Sequence, residues 1–128
     1  MAKIVQLWLS KEIKEGHIDL DFDGLAMTVD NLDLNREEPC FRYDKKFHRV
    51  VRINIPKDQA YGIPSGGRRE RILLPFDISK KQERVCIIHE AIERALIRRV
   101  GKGKIINGKT LCEIAREYEY AYAKRRTG

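Results

Sequence analysis

Two periodicities divide the chain. Roughly residues 1–78 show short apolar stretches with strand-like alternation, and 79–128 show the three-to-four spacing of helices. "KIVQLWL", 3–9, is rich in β-branched and aromatic residues and predicts a strand. "LAMTV", 25–29, lies between the turn-prone "DFDG" and "DNLDLN" and predicts another. In "CFRYDKKFHRVVRINI", 40–55, Phe41 and Tyr43 alternate on one arm. Phe47, Arg49, Val51 and Ile53 alternate with His48, Val50 and Arg52 on the other. That is a hairpin turning near Asp44-Lys45-Lys46. "PKDQAYGIPSGGRRE", 56–70, is a loop by composition; its "SGGRR" lacks the spacing of a phosphate-binding loop. "RILLPFDI", 71–78, predicts a last strand, with Pro75 at a sheet edge or at the strand's end.

Ser79 with Gln82, and Thr110 with Glu113, are two capping-box pairs. They predict one helix from about Lys80 to Gly101, a connector "GKGKIING", and a second helix through "LCEIAREYEYAYAKRR". Strands followed by helices imply an α+β fold: an N-terminal antiparallel sheet, then two C-terminal helices. The 128 residues suit a single domain, 1–128.

The first helix carries an anomaly. Advancing about 100° per residue, Leu96, Val85 and Ile92 fall within about 60° of His89 on one side, with Val100 and Cys86 on the other. His89 therefore sits near the middle of the apolar arc, Glu93 about 40° away, and Glu90 at its rim. An unpaired buried carboxylate costs several kcal/mol or more, yet this helix has spare wet positions. Three arrangements satisfy Glu93: a hydrogen-bonded polar spot, an ion gripped by His and Glu at i and i+4, or a place at the wall of a cleft. On the second helix, Glu113 and Glu117 face solvent. Glu119 flanks the apolar face and is the natural third ligand, with Cys112 two turns earlier as an alternative or supporting thiol.

Composition adds limits. Hydrophobic content of 42% supports one core. No apolar run approaches the roughly 18 residues of a membrane span, and the N-terminus lacks a signal peptide's pattern. Three cysteines, Cys40, Cys86 and Cys112, with no CxxC spacing, suggest thiols in a reducing cytoplasm. Lys plus Arg of 26 against Asp plus Glu of 19 gives +7, which attracts polyanions. Arg68, Arg69, Lys102, Lys104, Lys124, Arg125 and Arg126 are the candidate patch. They support an alternative reading: a small basic protein, without catalysis, that binds nucleic acid or a host protein. No zinc-finger, RRM or KH signature accompanies them.

"HEAIE", 89–93, resembles the HExxH signature of zincin metallopeptidases with Glu at the last position. A strand leads into its helix, and a glutamate follows on a later helix, as in the gluzincin branch. The chain also looks like small phage and prophage proteins that pair an HExxE helix with an alanine-spaced helix ending in Glu. Here that second element would be "LCEIAREYE", with Cys112 where those proteins would carry a His. The resemblance spans about the last 50 residues. It implies His89, Glu93 and Glu119 as ligands and Glu90 as the general base of a metal-dependent peptidase. Cys112 and Tyr122 would support them, Tyr122 steadying an oxyanion. The metal would be Zn²⁺, with Mn²⁺ or Fe²⁺ also suited to such a set. A peptide substrate would pair with the edge of "RILLPFDI", and the setting would be the cytoplasm of a host cell.

Overall fold

The computed structural model describes residues 20–56, 61–64, 69–106 and 108–127. The fold is α+β. The described chain runs α1 (Phe22–Asp30), β1 (Cys40–Tyr43), β2 (Lys46–Ile53), β3 (Tyr61–Pro64), β4 (Arg69–Pro75), α2 (Lys80–Val100), β5 (Ile105–Ile106), β6 (Lys109–Thr110) and α3 (Leu111–Thr127). The predicted strand at 3–9 lies outside the described residues.

The hairpin forms as expected, with Phe41 opposite His48 and Tyr43 opposite Lys46. Asp44 and Lys45 both have positive φ, which a tight turn between twisted strands requires. The remaining strands correct the prediction of a wholly antiparallel sheet. Strand order is β1-β2-β4-β3, and β4 runs parallel to β2 while pairing antiparallel with β3. The stretch expected to be only loop thus contains β3, and its partner β4 inserts between β3 and β2. Since β4 is hydrogen-bonded on both sides, it has no free edge for a peptide. Pro75 simply ends it.

"LAMTV" is also corrected, from strand to helix. Phe22, Leu25, Ala26 and Val29 are the buried positions, spaced i, i+3, i+4, i+7. The five residues alone hide that period; Phe22, one turn earlier, reveals it. The Asp21 side chain caps the helix by accepting from the Gly24 N–H at 3.3 Å.

Both long helices start where their caps predict. Ser79 Oγ accepts from the Gln82 N–H at 3.1 Å. Thr110 and Glu113 satisfy each other's backbone N–H groups, both at 3.1 Å. Gly101, at φ 102, ends α2. The connector adds a small antiparallel pair, β5 with β6.

The core joins the inner sheet face, through Val50, Ile72 and Leu74, to the three described helices. Because α1, β4 and α3 all pack on α2, its buried surface is wider than one stripe. Ile87, on the wet side of the wheel, is fully buried. Arg94 and Arg98, on the same side of the wheel as Ile87, are drawn in by the buried Glu70, at 3.4 and 2.7 Å. No described helix is long and apolar enough to cross a membrane.

Candidate metal centre

The site lies where α2 meets α3. The two helices run antiparallel: Cys112, at the start of α3, meets His89 and Glu93, and Glu119, two turns later, meets the other side of His89. Cys112 and Glu119 are separated by about 10 Å of helical rise. The imidazole lies between them, one nitrogen to each.

Glu119 Oε1 accepts from His89 Nδ1 at 2.8 Å. On the other side of the ring, Nε2 is 3.7 Å from Glu93 Oε1 and 3.7 Å from Cys112 Sγ. Among the described residues, His89, Glu93 and Cys112 form a group whose ligand atoms all lie within 4.8 Å of one another, so this group could hold a metal ion. A tetrahedral ion at about 2.0 Å from N and O and 2.3 Å from S places N and O about 3.3 Å apart, and N and S about 3.6 Å apart. The two spacings from Nε2 exceed these by a few tenths of an ångström or less, within side-chain adjustment.

The expected third ligand, Glu119, thus lies on the far nitrogen, outside the converging trio, and Cys112 takes the place beside Nε2. Helical phase alone could not decide this, because both residues lie on the same flank of α3. The decision came from the height at which α2 crosses α3. Glu119 instead matches a carboxylate that would orient a ligating histidine: it pairs with Nδ1 and leaves Nε2 facing Glu93 and Cys112.

Glu90 Oε2 is 3.8 Å from Nε2 but outside the trio, with only 9% of its side chain exposed. Expected at the rim, it is more deeply buried than His89, at 14%, or Glu93, at 26%. The ligand atoms therefore line a wall that solvent can reach, rather than the centre of the core.

The electrostatics follow from this crowding. Burial opposes charging of His89, but the Glu119 hydrogen bond and the charges of Glu90, Glu119 and Glu93 prevail and raise its pKa. Burial and then the Glu93 charge push the Cys112 thiol upward, against the pull of Arg116. Both shifts favour the protonated forms, so a cation at this site would compete with protons for His89 and Cys112.

Tyr122 does not join the centre. Its ring is buried and its hydroxyl donates to Asp30 Oδ1 at 2.6 Å. His48 is buried elsewhere, stacked on Phe41 at 5.0 Å between ring centroids. The candidate basic patch is dispersed. Lys102 and Lys104 follow the end of α2, whereas Lys124 and Arg125 close the antiparallel α3, at the opposite end of the helix pair. Arg125 also lies 3.9 Å from Asp30. Arg68 lies outside the described residues; Arg69 opens β4 and Arg126 falls in the last turn of α3.

No family model, curated protein or solved structure matches the chain.

Proposed function

We propose that the chain is a zincin-like metalloprotein, its ion held by His89 Nε2, Glu93 and Cys112, with a fourth position open for a metal-dependent peptidase reaction. The observation that supports this most is the convergence of an imidazole nitrogen, a carboxylate oxygen and a thiol, all within 4.8 Å of one another, while the ring's other nitrogen is held by a second carboxylate. The thiol softens the donor set and favours Zn²⁺ over Mn²⁺ or Fe²⁺. A bound zinc supplies Lewis acidity and lowers the pKa of water at the open position.

The chain's own residues do the rest. Glu119 fixes the orientation and tautomer of His89. Glu90, nearly buried and beside Nε2, serves as the proton acceptor during hydrolysis. With β4 paired on both sides, an extended substrate would use the outer edge of β3, the strand that packs against α2.

The test is elemental analysis and zinc titration of protein purified without added metal, with Mn²⁺ as a parallel arm. One zinc per chain and a zinc-dependent rise in melting temperature are expected. A wild type that takes up no zinc and gains no stability from it defeats the proposal. For the reaction, a zinc-dependent peptidase activity lost in Glu90→Gln, which still binds zinc, is the expected result.

A further inference from the structure

The outer face of the sheet has no role in the metal centre. Alternation sends His48, Val50, Ile72 and Leu74 into the core. It therefore turns Arg42, Phe47, Arg49 and Arg71 outward from three adjacent strands. Arg42 and Arg71 are exposed and make no ion pair among the described residues. Arg49 lies 3.4 Å from Glu38, a pair whose side chains are 40% and 46% exposed.

The register sharpens the picture. Arg49 and Arg71 are direct partners across β2 and β4, two like charges side by side. Folding alone disfavours such a pair. Arg42 faces Phe47 across β1 and β2, its guanidinium 5.8 Å from the ring centroid. Phe47 is 50% exposed although its neighbour His48 is fully buried. An exposed aromatic ring among arginines on an outward sheet face combines base stacking with phosphate pairing.

We propose that this face binds single-stranded nucleic acid, with phosphates on Arg42, Arg49 and Arg71 and a base stacked on Phe47. Charge complementarity selects a polyanion, in keeping with the chain's net +7. The aromatic ring selects single strands, because a duplex keeps its bases stacked on one another and offers Phe47 no open base face.

The experiment is fluorescence anisotropy with labelled oligothymidine and oligouridine of about 20 nucleotides, and with a duplex of equal length. It is run in chelator, so that the metal centre takes no part. Saturable binding to one or both single strands is expected, falling with salt at a log–log slope of about −2 for three phosphate contacts. Arg42→Ala with Arg71→Ala should reduce that slope to about −0.7, and the matching lysine pair should keep it. Phe47→Ala should weaken binding by about 5- to 100-fold with the slope unchanged. Lys124→Ala with Arg125→Ala should bind as wild type. All these positions are exposed, and unchanged melting temperatures establish that the variants fold. Four outcomes each overturn the proposal: no saturable binding at low salt, tighter binding to the duplex, a salt slope indifferent to Arg42 and Arg71, or binding lost with Lys124 and Arg125.

Discussion

Cys112→Ala and Glu119→Gln, measured side by side, discriminate a ligand from a residue that orients one. Glu119 pairs with Nδ1 of His89, at 2.8 Å, and lies outside the donor trio, so Glu119→Gln leaves all three proposed donors in place. Losing such an orienting carboxylate weakens metal affinity by about 10- to 100-fold, or about 1.4 to 2.7 kcal/mol. At free zinc near 1,000 times the wild-type Kd, the ion stabilises the fold by about 4 kcal/mol. The Glu119→Gln protein should retain about 1.4 to 2.7 kcal/mol of that. For 128 residues, 1 kcal/mol corresponds to about 3–5 °C in Tm, so its zinc-dependent rise should shrink by about 4–13 °C. Cys112→Ala removes one of three donors and should abolish the rise. Calorimetric scans with and without zinc, at fixed free metal, read both differences. A Cys112→Ala protein that keeps the full rise, beside a Glu119→Gln protein that loses it, would reverse the two roles. No change in either places the ion elsewhere.

Two further predictions concern the frame that holds the site. Burial is the main cause of a His48 pKa lowered to about 4, outweighing the pull of Glu70 at 3.9 Å. Above the unfolded value of 6.5, both states hold His48 neutral and it contributes no pH dependence. Between 6.5 and about 4 only the unfolded state takes the proton, so stability falls with pH by about 1.4 kcal/mol per unit, about 3 kcal/mol in all. Urea titrations from neutral to acid pH should show that slope relative to His48→Leu; parallel curves would refute it. Glu83 is buried and receives both Arg52 Nη2 at 2.7 Å and Nε at 3.2 Å. Glu83→Ala should cost about 3–5 kcal/mol by stranding that guanidinium, although Arg52 keeps the carbonyls of Leu34, Arg36 and Glu37. A loss below about 1 kcal/mol in urea unfolding would contradict this.

The sequence was legible where information is local. A capping pair such as Thr110 and Glu113 specifies a helix start through bonds spanning three residues. The 40–55 alternation specifies a hairpin because its two arms are neighbours in the chain. Even α1 was encoded locally, in the spacing of Phe22, Leu25 and Val29. His89, Glu90 and Glu93 stood out because a helix can be unrolled on paper.

Tertiary structure decided what depends on how distant elements cross. Strand pairing is not written in a strand's own residues, so β4 could enter between β2 and β3 and lose its free edge. The wheel of α2 assumed one wet side. Its packed neighbours removed most of it, burying Ile87 and drawing Arg94 and Arg98 onto Glu70. The same cause divided the roles at the site. Helical phase places Cys112 and Glu119 on one flank of α3, but it carries no information on the height at which α2 crosses. That height assigns Glu119 to Nδ1 and Cys112 to the side of Nε2.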